Sequence, residues 1–309
     1  MIDAPSSTWF TAAPHWQWYI VLYFFFGGLA GGCYFLAALI DLVGRPEDRP
    51  LARLGYYVAF PLVILCGLLL IVDLNQPLRF WHMLIQRNTL QPMFKAWSPM
   101  SSGSWALLIF GLFSFLSFVA ALADDDRRWP TFNRWGMPWR SLRVVGGASI
   151  LGRIIAVLGG IAGFYVAGYT GVLLAATNRP IWSDTPLLGM LFTVSAASTS
   201  AALLVLLAKR NRWTLSGINA LHRMDDWVLL LELIVLAAVM VSLGPVLRAW
   251  LNAWGALLVV VVAFGLVAPL VLSWRGRRIH SVNLTLASML VLIGGFLLRV
   301  LIVMSSESV

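Results

Sequence analysis

The sequence predicts an all-α integral membrane protein that crosses the bilayer eight times. Three observations carry that expectation. Of the 309 residues, 60% are hydrophobic and 11% charged, more apolar surface than a soluble domain of this size could bury. The apolar residues fall into eight runs, and a spanning helix needs about 20 such residues. Lys and Arg also alternate between the connecting segments. The segments after the first, third, fifth and seventh runs hold 15 of them, against 5 in the remaining segments and termini. By the positive-inside rule this bias places both termini outside, and a missed or extra span would have scrambled it.

The first span, 17–42, contains the glycine-rich FFFGGLAGG at 24–32 and stops before GRPEDRP. That glycine run reads as a close helix-packing face, or as a smooth wall against which a flat ligand could lie. The second span, 54–74, ends in Asp73, and Pro77, Arg79, Trp81 and His82 follow it closely. The segment 75–103 is aromatic and weakly basic, as suits a surface lying along the outer membrane interface. The third span, 104–123, stops at DDDRRWP, and the fourth, 148–176, at NRP. The fifth and sixth are 187–208 and 227–246; the seventh, 254–273, stops at WRGRR, and the eighth is 282–304.

The net charge of +9 is spread over short connecting segments rather than gathered in a patch or tail. It therefore sets topology and meets lipid headgroups, and nucleic-acid binding is not expected. Cys33 and Cys66 lie within apolar runs without CxxC or CxxCH spacing, which gives no support for an iron–sulfur ligand set or covalent haem. A bilayer-embedded haem needs facing axial ligands, usually His. The four histidines, His15, His82, His222 and His280, all fall near the ends of spans or outside them. No haem or metal is expected in this chain.

Because successive spans alternate in direction, sequence position converts into depth at about 1.5 Å per residue. His15, Asp73, Tyr169, Arg179 and Arg299 then share the outer level. Each has an ordinary reading beside a functional one. His15 suits an interface, Tyr169 an aromatic belt, Arg179 a loop anchor and Asp73 a solvated helix end. Nearer the inner level, Arg153 and Glu232 sit at matched depth, each about five residues into its span. They read as an intramembrane ion pair that clamps two helices, or as part of a proton path, since an unpaired charge in hydrocarbon is costly.

Four stretches in order resemble the NrfD/polysulfide-reductase membrane subunit family: HWQWYIVLYFFFGGLAGG at 15–32, DLNQPLRFW at 73–81, SPMSSGSW at 98–105 and YTGVLLAATNRPIW at 169–182, with a weaker match in GGFLLR at 294–299. The resemblance implies two four-helix bundles. One is formed by 1–147, which holds spans one to three and the outer segment 75–103, completed by span four in 148–186. The other is formed by 187–309. It implies a haem-free quinone or menaquinone site near the outer surface of an inner (cytoplasmic) membrane. It further implies docking to a ferredoxin-like iron–sulfur subunit, and through it to a larger catalytic subunit of the molybdopterin kind. His15 and Tyr169 match the quinone-contacting pair, Asp73 its acidic partner, and Arg179 and Arg299 match less closely. Where the family often has Arg before the proline of its DL..P motif, this chain has Gln76. Either Asp73 has lost a charge partner or Arg79 supplies one.

The chemistry is consistent with that assignment. A quinone carbonyl needs a hydrogen-bond donor and quinol oxidation needs a proton acceptor, roles a phenol, an imidazole and a carboxylate can fill. Two other classes remain open, a transporter or ion channel and a passive anchor. Transporters favour polar sites near the bilayer midplane, whereas the polar residues here gather toward the faces.

Overall fold

The computed structural model describes Trp16, residues 18–74, 76–124, Gly146, and residues 149–210, 215–276 and 281–306. Most of the basic connections after the third and seventh spans lie outside these residues. Among those described, eight helices are long and apolar enough to cross a membrane, and the protein is a multi-pass membrane protein. The only strand-like feature among them is a bridge between Ile85 and Pro92.

The helices are α1 (Trp18–Val43), α2 (Arg49–Asp73), α3 (Pro99–Asp124), α4 (Ile150–Ala175), α5 (Leu188–Arg210), α6 (Leu215–Leu243), α7 (Ala253–Trp274) and α8 (Ser281–Ser305). Local chemistry sets many of their ends. α1 stops before Gly44 and Pro46, and a proline stands at the first turn of α2, where its missing N–H costs nothing. Ser149 caps α4 by accepting from the Gly152 N–H at 2.8 Å, and Asn252 caps α7 by accepting from Trp254 N–H at 2.9 Å. Within α7, Val261–Val267 forms a π-helical stretch.

α1 is the most buried span and packs on α2, α4, α5 and α8. The glycines of FFFGGLAGG are the reason. A side chain at Gly31 would strike the backbone of Gly163 on α4, and one at Gly32 would strike Ser200 on α5. The glycine run is thus a two-sided packing face filled by protein.

The largest departure from the expected spans is α6. Its helix begins at Leu215, twelve residues before the expected start at 227. Ile218 and Leu221 lie three apart on one helix face, and both are buried against Leu51, Ala201 and Leu204. A stretch that reads as basic loop is therefore helix packed onto its neighbours.

Candidate functional site

At the end of the bundle where α1 begins, segments distant in sequence converge. Trp16 stacks on Trp182 with ring centroids 5.2 Å apart and planes 21° from parallel, and meets Phe24 edge-on. The Trp182 indole N–H donates to the carbonyl of Ile302 at 2.7 Å, near the end of α8. The turn that aims Trp182 is strained, because Ile181 holds φ +71, a conformation β-branched residues avoid. The Asp184 carboxylate fixes it by accepting from the Ile181 N–H at 2.8 Å. Arg179 is buried in the same turn. Its Nη1 donates to the Ser306 carbonyl at 3.3 Å, and Ser306 Oγ donates to the Pro180 carbonyl. Arg179 thus completes the carbonyl end of the last helix, a position where a cation is favourable.

Tyr169, on α4, lies beside this assembly. Its ring rests on Gly103 of α3 so closely that any side chain at 103 would overlap it. Tyr165 stacks on Tyr169 at 6.0 Å and donates to Ser102 Oγ at 3.1 Å, so the SPMSSGSW and YTG motifs form one unit. The buried Tyr23 of α1 lies within electrostatic reach of Tyr169, and Cys66 Sγ–H lies 3.9 Å from the Tyr23 carbonyl. Leu173, Leu70 and Leu107 belong to the same apolar cluster. The Tyr169 ring is 7% exposed, and its hydroxyl has no hydrogen-bond partner among the described residues. The result is a buried phenol with a free polar end in an aromatic and apolar setting.

Asp73 closes α2, half-buried, without a hydrogen bond or ion pair to any described residue. After it the backbone enters a 3₁₀ turn, Pro77–Met83, in which Arg79 is exposed and does not pair with Asp73. In the same turn His82 packs on Trp81 at 3.9 Å and keeps Nε2 buried without a partner. The segment beyond is tied down: Gln86 N–H donates to the Gln91 carbonyl, while Ser101 Oγ and Trp105 Nε1 both donate to the Met93 carbonyl. It still presents Leu78, Phe94 and Trp97 outward. His15 lies outside the described residues.

Arg299 is set deeper than the other candidates and is 1% exposed. Its Nη1 donates to Gly295 O at 2.6 Å and Ser195 Oγ at 3.1 Å, and its Nε donates to Phe24 O at 3.4 Å. The guanidinium lies over the rings of Phe25 and Phe192. A side chain at Gly28 would press on it. Glu232 lies within electrostatic reach of it, with Ser195 as a second polar neighbour.

The expected pairing of Arg153 with Glu232 therefore does not form. Glu232 lies 17 residues after the start of α6 at Leu215, and Arg299 lies 18 after the start of α8 at Ser281. At 1.5 Å per residue each is about 25 Å along its helix. Arg153 is in the first turn of α4 and exposed. The early start of α6 put Glu232 at a different depth from the one the sequence suggested. The expectation that polar groups gather at the faces also fails in this half. Ser195, Ser198, Thr199 and Ser200 of α5 are buried, as are Asp225 and Glu232 of α6, and Asp225 adjoins Ser198.

Sequence reasoning also missed Tyr23, Trp182 and Ser195. Trp182 was legible as part of a quoted motif, whereas nothing in the sequence distinguishes Ser195 from its neighbours. A further polar group occupies the far end of the bundle. There Tyr56 donates to Asp41 at 3.0 Å, Arg53 pairs with Asp124 at 3.1 Å, and Tyr34 bonds Ser117 at 2.7 Å.

Fold and site together define a multi-pass membrane protein whose conspicuous internal site is aromatic and holds an unpartnered phenol. Residues 10–309 match the family described as polysulphide reductase, NrfD, and the protein belongs to that family. It is 29% identical over 318 residues to a polysulfide reductase chain of Wolinella succinogenes, with 95% of the present sequence and 94% of that relative covered. It is 27% identical over 321 residues to protein NrfD of Escherichia coli, with 94% and 95% covered. A shorter stretch of 79 residues, 25% of this sequence and 18% of the relative, is 32% identical to a selenate reductase subunit of Mesobacillus selenatarsenatis. Two of these relatives are, by name, parts of reductases.

Proposed function

We propose that this protein is the haem-free, quinone-reactive membrane subunit of a respiratory oxidoreductase. It sits in the cytoplasmic membrane with both termini outside, its spans grouped as two four-helix bundles. The observation that carries the reading is Tyr169, a buried phenol with an unpartnered hydroxyl, held by Gly103 and Tyr165 in an aromatic and apolar setting. Such a group suits a quinone carbonyl, and the apolar surroundings suit its ring and isoprenoid tail. Quinol oxidation releases two electrons and two protons. The Tyr169 hydroxyl orients one quinone oxygen, and His15 with Asp73 accepts protons and passes them to water. The electrons leave to an iron–sulfur partner, and reduction runs the same steps in reverse.

That partner, ferredoxin-like and linked to a larger catalytic subunit, docks on the segment 75–103, where Leu78, Phe94 and Trp97 are exposed. In this reading Arg179 and Arg299 act at one remove. Arg179 fixes the turn bearing Trp182, and Arg299 holds α1 at Phe24.

The test is a titration of the purified protein, and of its assembled complex, with a fluorescent quinol-site inhibitor. Saturable binding weakened by both Tyr169→Phe and His15→Ala is the expected result. Binding absent from both preparations, or indifferent to both substitutions, would leave a passive anchor.

A second reading, proton movement through the C-terminal half coupled to turnover, is supported by the buried series Asp225, Ser198, Glu232, Ser195 and Arg299. In proteoliposomes carrying the complex and a pH-sensitive dye, Glu232→Gln should abolish acidification while quinol oxidation continues. Acidification that persists in the variant defeats this reading.

A further inference from the structure

At the end of the bundle away from Tyr169, a lateral groove of about 260 Å³ opens where the end of α1 meets the starts of α2 and α6. Its walls are Leu36, Leu39, Ile40, Leu51, Leu221 and Met224, and Gly217 and Ala220 of α6 leave the space between them. Leu39 and Val43 of α1 face outward beside it. In a protein that spans a bilayer, such a groove faces lipid tails. A cavity of about 150 Å³ holds a benzene ring, so this one accepts roughly ten carbons of an acyl tail.

The polar end of the groove narrows the choice of occupant. Asp48 and Leu51 line it and also line a smaller recess that reaches Glu47, so the apolar groove runs out onto carboxylates. Asp48 is half-buried against Gly217; its backbone N–H donates to the Arg45 carbonyl, while its carboxylate has no hydrogen bond or ion pair to a described residue. Three residues earlier Arg45 is exposed, while Arg49 turns to the separate polar cluster around Asp41. A carboxylate at the mouth of an apolar groove complements a lipid headgroup that carries a cation. An anionic glycerol headgroup lacks the cation. A choline has one, but it cannot donate hydrogen bonds to the carboxylate, whereas a primary ammonium donates up to three.

We propose that this groove is a specific site for a phospholipid with a primary-amine headgroup, one tail lying between α1 and α6 and the ammonium bound by Asp48 with Glu47. The lipid bridges α1 and α2 to α6, and so ties the two halves of the protein together at the end remote from Tyr169.

The test is native mass spectrometry of the purified protein after equilibration with equal amounts of phosphatidylethanolamine, phosphatidylglycerol and phosphatidylcholine. One retained phosphatidylethanolamine, preferred about tenfold over the other two, is expected. Asp48→Asn should keep one lipid but bring the three to near-equal retention, and Ala220→Trp should abolish retention by filling the groove. If Ala220→Trp does not fold, Leu39→Trp, introduced on the exposed lip, takes its place. Equal retention of the three lipids by the unaltered protein, no retained lipid, a quinone in place of the lipid, or retention unaffected by the tryptophan variant would each overturn the proposal.

Discussion

The Tyr169 ring lies directly on Gly103, and no side chain larger than hydrogen fits between α3 and α4 there. One glycine therefore decides where the phenol sits. Gly103→Val should push the ring aside at a cost of about 1–3 kcal/mol, the usual range for overpacking. Inhibitor binding should fall at least as far as in Tyr169→Phe. A melting curve in detergent and the inhibitor titration check both. A valine variant that binds normally would show that the ring position is not critical.

Removing the Tyr169 hydroxyl breaks no bond to a described residue. Tyr169→Phe should thus melt within a degree or two of the unaltered protein. Affinity for a quinol analogue should drop about tenfold, the equivalent of one hydrogen bond of ~1.4 kcal/mol. Loss of stability in step with loss of binding would make the hydroxyl structural.

Arg299 and Glu232 should behave as a buried pair. Glu232→Gln or Arg299→Met alone leaves one charge without its partner and should cost about 3–5 kcal/mol. The double variant should recover much of that loss. Arg153→Gln, altering an exposed residue at the start of α4, should stay within about 0.5 kcal/mol. Thermal unfolding of the unaltered protein, the two single variants and the double variant forms a complete cycle, and additive single effects would argue against coupling.

Trp182 couples the turn before α5 to the end of α8 and to Trp16. Trp182→Ala should cost about 3–5 kcal/mol and make the chain at Trp16 a site of protease cleavage. Limited proteolysis followed by N-terminal sequencing reads this directly. An unchanged digestion pattern would mean that Trp16 is held by other contacts.

Arg79 is the nearest charged candidate to partner Asp73, yet it is exposed and unpaired with it. Arg79→Ala should leave inhibitor binding unchanged, whereas Asp73→Asn should weaken it. Equal effects of the two in the same titration would revive an Arg79–Asp73 pair formed when ligand binds.

What the sequence by itself determined about this protein is the part that depends on composition and period. Lipid as a solvent demands long apolar helices, so eight runs and their punctuation locate eight spans to within a few residues for most of them. The glycine run was legible as a packing face because small residues are what close helix approach requires. The motifs that carry the family resemblance marked Tyr169, and they contain Gly103, Trp16 and Trp182 without singling them out.

Partners across helices were decided only by the tertiary structure. Depth reckoned from expected span ends chose Arg153 for Glu232, but burial of Ile218 and Leu221 began α6 early and brought Glu232 level with Arg299. Neither span length nor charge count carries the rotation of a helix about its own axis. That rotation is set by which side chains fill which gaps, such as Gly28 admitting the Arg299 guanidinium or Gly103 admitting the Tyr169 ring.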